Sequence, residues 1–264
     1  MEKWIAFEKG KISYSVQGEG PVVVLLHGFL EDKSIWDAFA KKLSSGYKVI
    51  AIDLPGFGQT SVFDKVHSMP FMANTVYSVL SDEGVDSCIM VGHSMGGYVT
   101  LAFADRYPEK LKGLVLFHSQ AADDNEEARV NRDRTIEVVQ GDHFGFINTF
   151  VPSLFAGENV RKFEEEIGVL KKISAETAKA GTVAALAGMR DRADSLGLLE
   201  EIEVPVFFII GKQDSRINME QMLHQLTLPH NCEALILDGV GHMGFIEAAE
   251  ITYLAIEHFI ERNL

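Results

Sequence analysis

The stretch Ser87-Cys88-Ile89-Met90-Val91-Gly92-His93-Ser94-Met95-Gly96-Gly97, followed by Tyr98 to Tyr107, decides how this chain is read. Residues 87–91 form an apolar run of strand length. Tyr98 to Tyr107 is apolar on nearly every face and stops before Pro108, as a buried helix should. A strand that turns sharply into a helix exposes the residue at its tip, and here that residue is Ser94. Gly92 and Gly96 stand two positions to either side, where larger side chains would collide in so tight a turn. The serine backbone is expected to be strained. Its place at the amino end of a helix favours negative charge developing nearby. A glycine-rich turn with an incidental serine is the competing reading, and the flanking strand and helix weigh against it.

Outward from this point the first half alternates two periodicities. Lys11 to Gln17 alternates like a half-exposed strand, and Val22 to Leu26 is an apolar, β-branched strand. Ser34 is placed to cap a helix carrying Ile35, Trp36, Phe39, Ala40 and Leu43 on one stripe. Tyr47 to Ile52, Asp86 to Val91 and Leu111 to Phe117 read as further strands, with a helix over Phe71 to Leu80. Strands apolar on both faces, alternating with helices, imply an α/β fold with a mainly parallel sheet covered by helices. From Ala121 to Ser195 no strand signal appears. Helical stretches fall instead at Asp123 to Val139, Val160 to Ile173 and Ala175 to Met189, with an aromatic block around Phe144, Phe146 and Phe150. Alternation resumes with Val204 to Ile210, Asn218 to Leu226, Ala234 to Leu237 and a last helix opened by His242 and running to Arg262. No Pro/Gly/Ser linker bounds the helical stretch. We expect one domain over 1–264, with 121–195 an all-helical lid inserted within it.

Composition narrows the class. The 264 residues, 47% hydrophobic and 23% charged, suit a globular protein with a substantial core. A formal charge of −14 argues against nucleic acid or an anionic membrane as partner. Cys88 and Cys232 lie far apart in apolar runs, so free thiols are expected rather than a metal or redox pair. Met1 to Glu8 carries early charges and no unbroken apolar stretch, and no run reaches membrane-span length. A cytoplasmic enzyme is the expectation.

A serine nucleophile needs a base and a group to orient that base. Loops beyond the carboxyl ends of parallel strands converge on one sheet edge. His242 follows the strand ending at Leu237 through Asp238-Gly239-Val240-Gly241 and reaches that edge, as does Ser94. Asp214, after the strand ending at Ile210, is the leading acid. Asp123 and Asp124 are runners-up, and Asp238 suits a turn. His93 reads as a packing and hydrogen-bonding residue rather than a second base, and His118 as a satisfied structural histidine, with contact to the substrate as the sharper alternative. Arg129, Arg132, Arg134, Arg190 and Arg192 read mainly as solvated helix faces, with a clamp for a substrate carboxylate as the sharper alternative.

Taken together, His27-Gly28-Phe29, Asp53-Leu54-Pro55-Gly56-Phe57-Gly58, Gly92-His93-Ser94-Met95-Gly96-Gly97, Asp214 and Gly241-His242-Met243 resemble the α/β-hydrolase superfamily in order and position. The resemblance spans nearly the whole chain apart from the insertion. It implies an all-helical cap after the sixth strand, Ser94 as nucleophile, Asp214 as acid and His242 as base. It also implies backbone N–H groups of Phe29 and Met95 as oxyanion donors, with His27 pinning the oxyanion loop. Phe144 and Phe146 are the candidate pocket residues. The implied reaction cleaves a small carboxylic ester or lactone, with no metal or organic cofactor. Carbon–carbon bond hydrolases of this type prefer asparagine before the serine and tryptophan after the histidine, where this chain has His93 and Met243. Perhydrolase or haloperoxidase relatives commonly carry tryptophan where Phe29 stands. Serine at 94 argues against dehalogenases and the usual epoxide hydrolases. A receptor or signalling protein on the same fold, with slow hydrolysis, is the alternative from another class.

Overall fold

The alternating segments assemble into one eight-stranded sheet in the computed structural model, which describes residues 1–264. The strands are β1 (Glu2–Phe7), β2 (Gly10–Gln17), β3 (Val22–Leu26), β4 (Lys48–Ile52), β5 (Cys88–His93), β6 (Leu111–Phe117), β7 (Val206–Gly211) and β8 (Cys232–Leu237). Their order is β1-β2-β4-β3-β5-β6-β7-β8. Only the β1–β2 and β2–β4 pairings are antiparallel. Every pairing from β4 to β8 is parallel, so these strands deliver their carboxyl-end loops to a single edge.

Eleven helices complete the chain: α1 (Asp37–Leu43), α2 (Met69–Asp82), α3 (Met95–Arg106), α4 (Glu126–Gly141), α5 (His143–Phe150), α6 (Glu164–Glu176), α7 (Lys179–Arg190), α8 (Leu196–Glu201), α9 (Met219–Gln225), α10 (Gly244–Glu247) and α11 (Ala249–Asn263). The helix α3 packs on β5 and β6 and against α2. Meanwhile α1 and α11 meet through Phe39 and Tyr253, whose rings are 5.6 Å apart. Strands β5 and β7 are buried at every residue, which explains why their sequences are unbroken apolar runs rather than alternating ones. Their side chains join a single core of 68 buried hydrophobic residues.

Between β6 and β7 the backbone makes only helical and irregular structure, and α8 carries the helical stretch six residues past Ser195. The two ends of 121–195 meet, with the Ser195 N–H donating to the Ala121 carbonyl at 2.9 Å. Further hydrogen bonds tie this stretch to the loops of the sheet edge. The Ser174 hydroxyl donates to the Leu30 carbonyl at 2.8 Å. The His67 N–H donates to the Ala184 carbonyl at 3.0 Å, and the His242 N–H to the Leu154 carbonyl at 2.7 Å.

Several local expectations are corrected. The strand β1 gives no sequence signal of its own, because it is an edge strand whose burial alternates only between exposed and half-buried. It is the sixth strand ahead of the insertion, where the individual segments supply five. Ile12 to Ser15 of β2 are buried on both faces, with the Tyr14 hydroxyl meeting Asp82 and Glu83 at the end of α2 and the Ser13 hydroxyl taking the Lys33 ammonium. Ser34 does not cap α1. The Asp32 side chain instead accepts the Ser34 N–H at 2.9 Å and opens a 3-10 turn over Lys33–Trp36. The last helix is split at Ala248, and His242 lies in the loop before α10 rather than within a helix.

Candidate active site

Ser94 follows β5 and caps α3 with φ 49° and ψ −114°, a left-handed conformation that a non-glycine residue adopts only when its surroundings hold it there. The surroundings do so from both sides. The Ser94 N–H donates to the Phe117 carbonyl at 2.9 Å, and the Ser119 hydroxyl donates to the Ser94 carbonyl at 2.8 Å. A side chain at Gly92 would collide with the Gly96 carbonyl, and one at Gly96 with the Leu26 carbonyl. The turn therefore closes only with glycine at both positions.

The hydroxyl of Ser94 stands 2.9 Å from Nε2 of His242, and Nδ1 of His242 stands 2.8 Å from Oδ2 of Asp214. The Nδ1–H donates to the carboxylate, which leaves Nε2 as the acceptor for the serine proton. Asp214 is fully buried as a side chain. Burial alone would raise its pKa, but His242 and His118 outweigh that and hold the carboxyl far below the usual range. Its second oxygen accepts the N–H groups of Arg216 at 2.7 Å and Ile217 at 3.1 Å. The three side chains singled out at 94, 214 and 242 are thus brought together. The runner-up acids are engaged elsewhere: Asp123 pairs with Arg129, and Asp124 with Arg132 and Arg192. Asp238 is exposed and lies 3.5 Å from Lys212.

The loop after β3 supplies backbone donors. Met95 is the first residue of α3, so its N–H has no acceptor one turn earlier in the helix. Phe29 N–H donates to no protein group. His27 fixes this loop: its Nε2 accepts the Leu54 N–H at 2.9 Å, which makes Nδ1 the donor to the Gly28 carbonyl at 2.7 Å. That pair of bonds joins the Phe29 loop to the Asp53–Gly58 turn.

The sequence assigns no catalytic role to four further residues of this site. Glu31 accepts the Gly28 N–H at 2.6 Å and an N–H of His93 at 2.9 Å, both on Oε2. His93 donates through its other ring nitrogen to the His242 carbonyl at 2.9 Å. Both ring nitrogens of His93 therefore donate. Burial pushes its pKa down, but Glu31 overrides this and the net shift is upward, making a buried imidazolium–carboxylate pair. His118 accepts the Gly244 N–H at Nε2 and donates from Nδ1 to Asp214 at 3.1 Å, and burial lowers its pKa to about 4. Glu247 gathers the N–H groups of Gly241 at 3.0 Å and Met243 at 3.2 Å, bracketing His242. The ligand atoms of His118, Asp214 and His242 lie within 4.8 Å of one another, close enough for a metal ion. Both facing nitrogens already donate to the carboxylate, so the cluster is satisfied as a hydrogen-bonded group.

A cavity of about 820 Å³ opens over Ser94 and His242. Phe29, Phe146, Phe150, Leu154 and Leu186 supply its apolar wall. Of the two candidate pocket residues, Phe146 lines it and Phe144 does not. Phe144 is 62% exposed, because α5 turns positions 146 and 150 inward and leaves 144 on its outer side.

This geometry can be compared with known proteins. A family model described as alpha/beta hydrolase fold matches residues 21–249. The chain belongs to the alpha/beta hydrolase fold family. Among its curated relatives, a pimeloyl-(acyl-carrier protein) methyl ester esterase of Aeromonas hydrophila is 26% identical over 94% of this chain and 100% of its own length. A thermophilic esterase from Thermogutta terrifontis, solved with malate bound, superposes with a TM-score of 0.93 at 29% identity, covering 99% of this chain and 98% of its own. An enol-lactonase from Burkholderia xenovorans LB400 shares the fold with a TM-score of 0.91 at 19% identity, over 98% of this chain and 100% of its own. No helix is long and apolar enough to cross a membrane.

Proposed function

We propose that this alpha/beta hydrolase is a serine esterase that cleaves a small carboxylic ester or lactone through an acyl-enzyme. The observation that carries this reading is the continuous chain from Ser94 Oγ to His242 Nε2 at 2.9 Å and from His242 Nδ1 to Asp214 at 2.8 Å. The esterase names of its relatives in Aeromonas and Thermogutta support the same reaction class. Ser94 attacks the ester carbonyl while His242 takes the hydroxyl proton. The tetrahedral oxyanion is held by the N–H groups of Phe29 and Met95. Collapse expels the alcohol, which receives the proton from His242. Water then attacks the acyl-enzyme as His242 accepts its proton, and the acid leaves with Ser94 restored. Every step draws on these groups and water alone. Asp214 keeps the imidazole in the tautomer that the first step needs.

The helical stretch 121–195 serves in this reading as a cap within a single domain of 1–264, closing the cavity over the reacting carbonyl. The Ser195–Ala121 hydrogen bond at its base supports that division. A small-molecule ester is the partner, and a cytoplasmic setting suits the free cysteines. Titration with a fluorophosphonate probe tests the reading. Wild type is expected to be labelled once per chain and Ser94→Ala not at all, with p-nitrophenyl butyrate turned over above about one per second. Labelling that survives Ser94→Ala overturns it.

A further inference from the structure

The cavity over Ser94 also exposes two guanidinium groups, Arg132 and Arg216, that the reaction above leaves idle. In a chain of net charge −14, cations inside a cavity need a reason. Three carboxylates line the same cavity, and each already faces a cation. Asp123 is taken by Arg129, Asp124 by Arg132 and Arg192, and Glu31 by His93. One carboxylate thus serves two arginines at Asp124, and the Arg216 guanidinium forms no ion pair. Its Nη2 instead donates to the Ser153 hydroxyl at 2.6 Å, and its guanidinium lies 4.6 Å from the centre of the Phe150 ring. Those contacts orient the planar head of an otherwise exposed side chain at the cavity wall. Crowding by its surroundings and the like charge of Arg132 lower the Arg216 pKa against the pull of Asp214. An arginine keeps its charge through such a shift. In the same wall the amide oxygen of Gln120 is buried without a hydrogen-bond partner.

We propose that Arg216, assisted by Arg132, is a subsite for a second, free carboxylate on the ester, so that the preferred substrate is a half-ester of a short dicarboxylic acid. This rests on the reading of Ser94 as the nucleophile. A guanidinium fork matches a carboxylate edge to edge with two parallel hydrogen bonds. A single negative charge matches the one guanidinium left unpaired. The cavity of about 820 Å³ holds a short dicarboxylate with its ester end at Ser94.

The test compares matched pairs: monomethyl succinate with methyl butyrate, monomethyl glutarate with methyl valerate, and monomethyl adipate with methyl hexanoate. For at least one pair, the wild-type kcat/KM is expected to favour the half-ester by about tenfold or more. In Arg216→Gln that ratio falls to about one, and in Arg132→Gln it falls in the same direction. Because the ratio is taken within one protein, partial misfolding of a variant cancels. A neutral preference throughout the series, or a half-ester preference that survives Arg216→Gln, overturns the proposal. Calorimetric titration of Ser94→Ala with glutarate reads the subsite without turnover. Glutarate binding that disappears in Ser94→Ala/Arg216→Gln supports the subsite even if no ester is cleaved. Ester cleavage without glutarate binding or charge preference removes the subsite and leaves the esterase standing.

Discussion

Replacing Glu31 with glutamine should weaken the protein in a way that depends on pH, and the sign follows from two opposed shifts. Glu31 and His93 face each other across 2.9 Å with side chains only 4% and 1% exposed. Burial would raise the Glu31 pKa, but His93 and the Gly28 N–H override it, and the carboxyl ends below its ordinary 4.5. His93 ends above its ordinary 6.5. A depressed carboxylate stabilises the fold fully above its unfolded value and loses that contribution as pH falls through the folded one. A raised imidazole stabilises fully below its unfolded value and loses that contribution as pH rises through the folded one. The pair is therefore worth most between pH 4.5 and 6.5.

Glutamine still offers an oxygen to Gly28, so the loss is chiefly the charge that keeps His93 protonated. Breaking a buried pair outright typically costs about 3–5 kcal/mol, and with one hydrogen bond retained about 2–3 kcal/mol is expected. For a chain of this size that lowers the melting temperature by roughly 5–10 °C near pH 5.5. Above pH 6.5 the raised imidazole loses its contribution as pH climbs through the native value, so the difference between the two proteins should be smaller near pH 9.5 than near pH 5.5. Scanning calorimetry of wild type and Glu31→Gln at the two pH values measures it. Equal destabilisation at both, or none near pH 5.5, refutes the argument that a charged pair joins the Gly28 loop to His242.

Asp214→Asn should keep the fold, yet cut kcat by about 10⁴, because an amide permits the wrong His242 tautomer; steady-state kinetics on p-nitrophenyl butyrate reads it. Gly28→Ala places a Cβ 2.7 Å from Nδ1 of His93 and 2.8 Å from Oε2 of Glu31. The Phe29 N–H should shift with the loop, lowering kcat by roughly 10²-fold with a smaller effect on KM. Phe144→Ser should leave kcat/KM unchanged along an acyl-length series, since that ring points to solvent. Phe146→Ala should lower kcat/KM most for the longer acyl chains, because its ring lines the cavity.

Much of this architecture is local, and local order is readable. The apolar run at 87–91 and the glycines at 92 and 96 announce a buried strand and a tight turn, because burial on both faces and steric exclusion act on neighbours in sequence. Asp214 and His242 could be chosen from among many candidates because parallel strands send their carboxyl ends to one edge, whatever side chains lie elsewhere. The exposed edge strand β1 and the break at Ala248 escaped, because neither leaves a periodic apolar signal. The orientation of α5 escaped too. Phe144 and Phe146 are chemically identical, and only the docking of that helix decides which ring faces inward.

The amino-acid order by itself determined the strand and helix alternation, the serine at the turn and the histidine and aspartate that could reach it. Each of those depends on interactions within a few residues or on the direction of a strand. Tertiary structure alone decided that Glu31 pairs with His93, 62 positions away, and that Glu247 brackets the His242 loop. It alone left the Arg216 guanidinium facing a cavity without an ion-pair partner. Charges find their counterparts through space, and the folding of distant segments sets which of them meet.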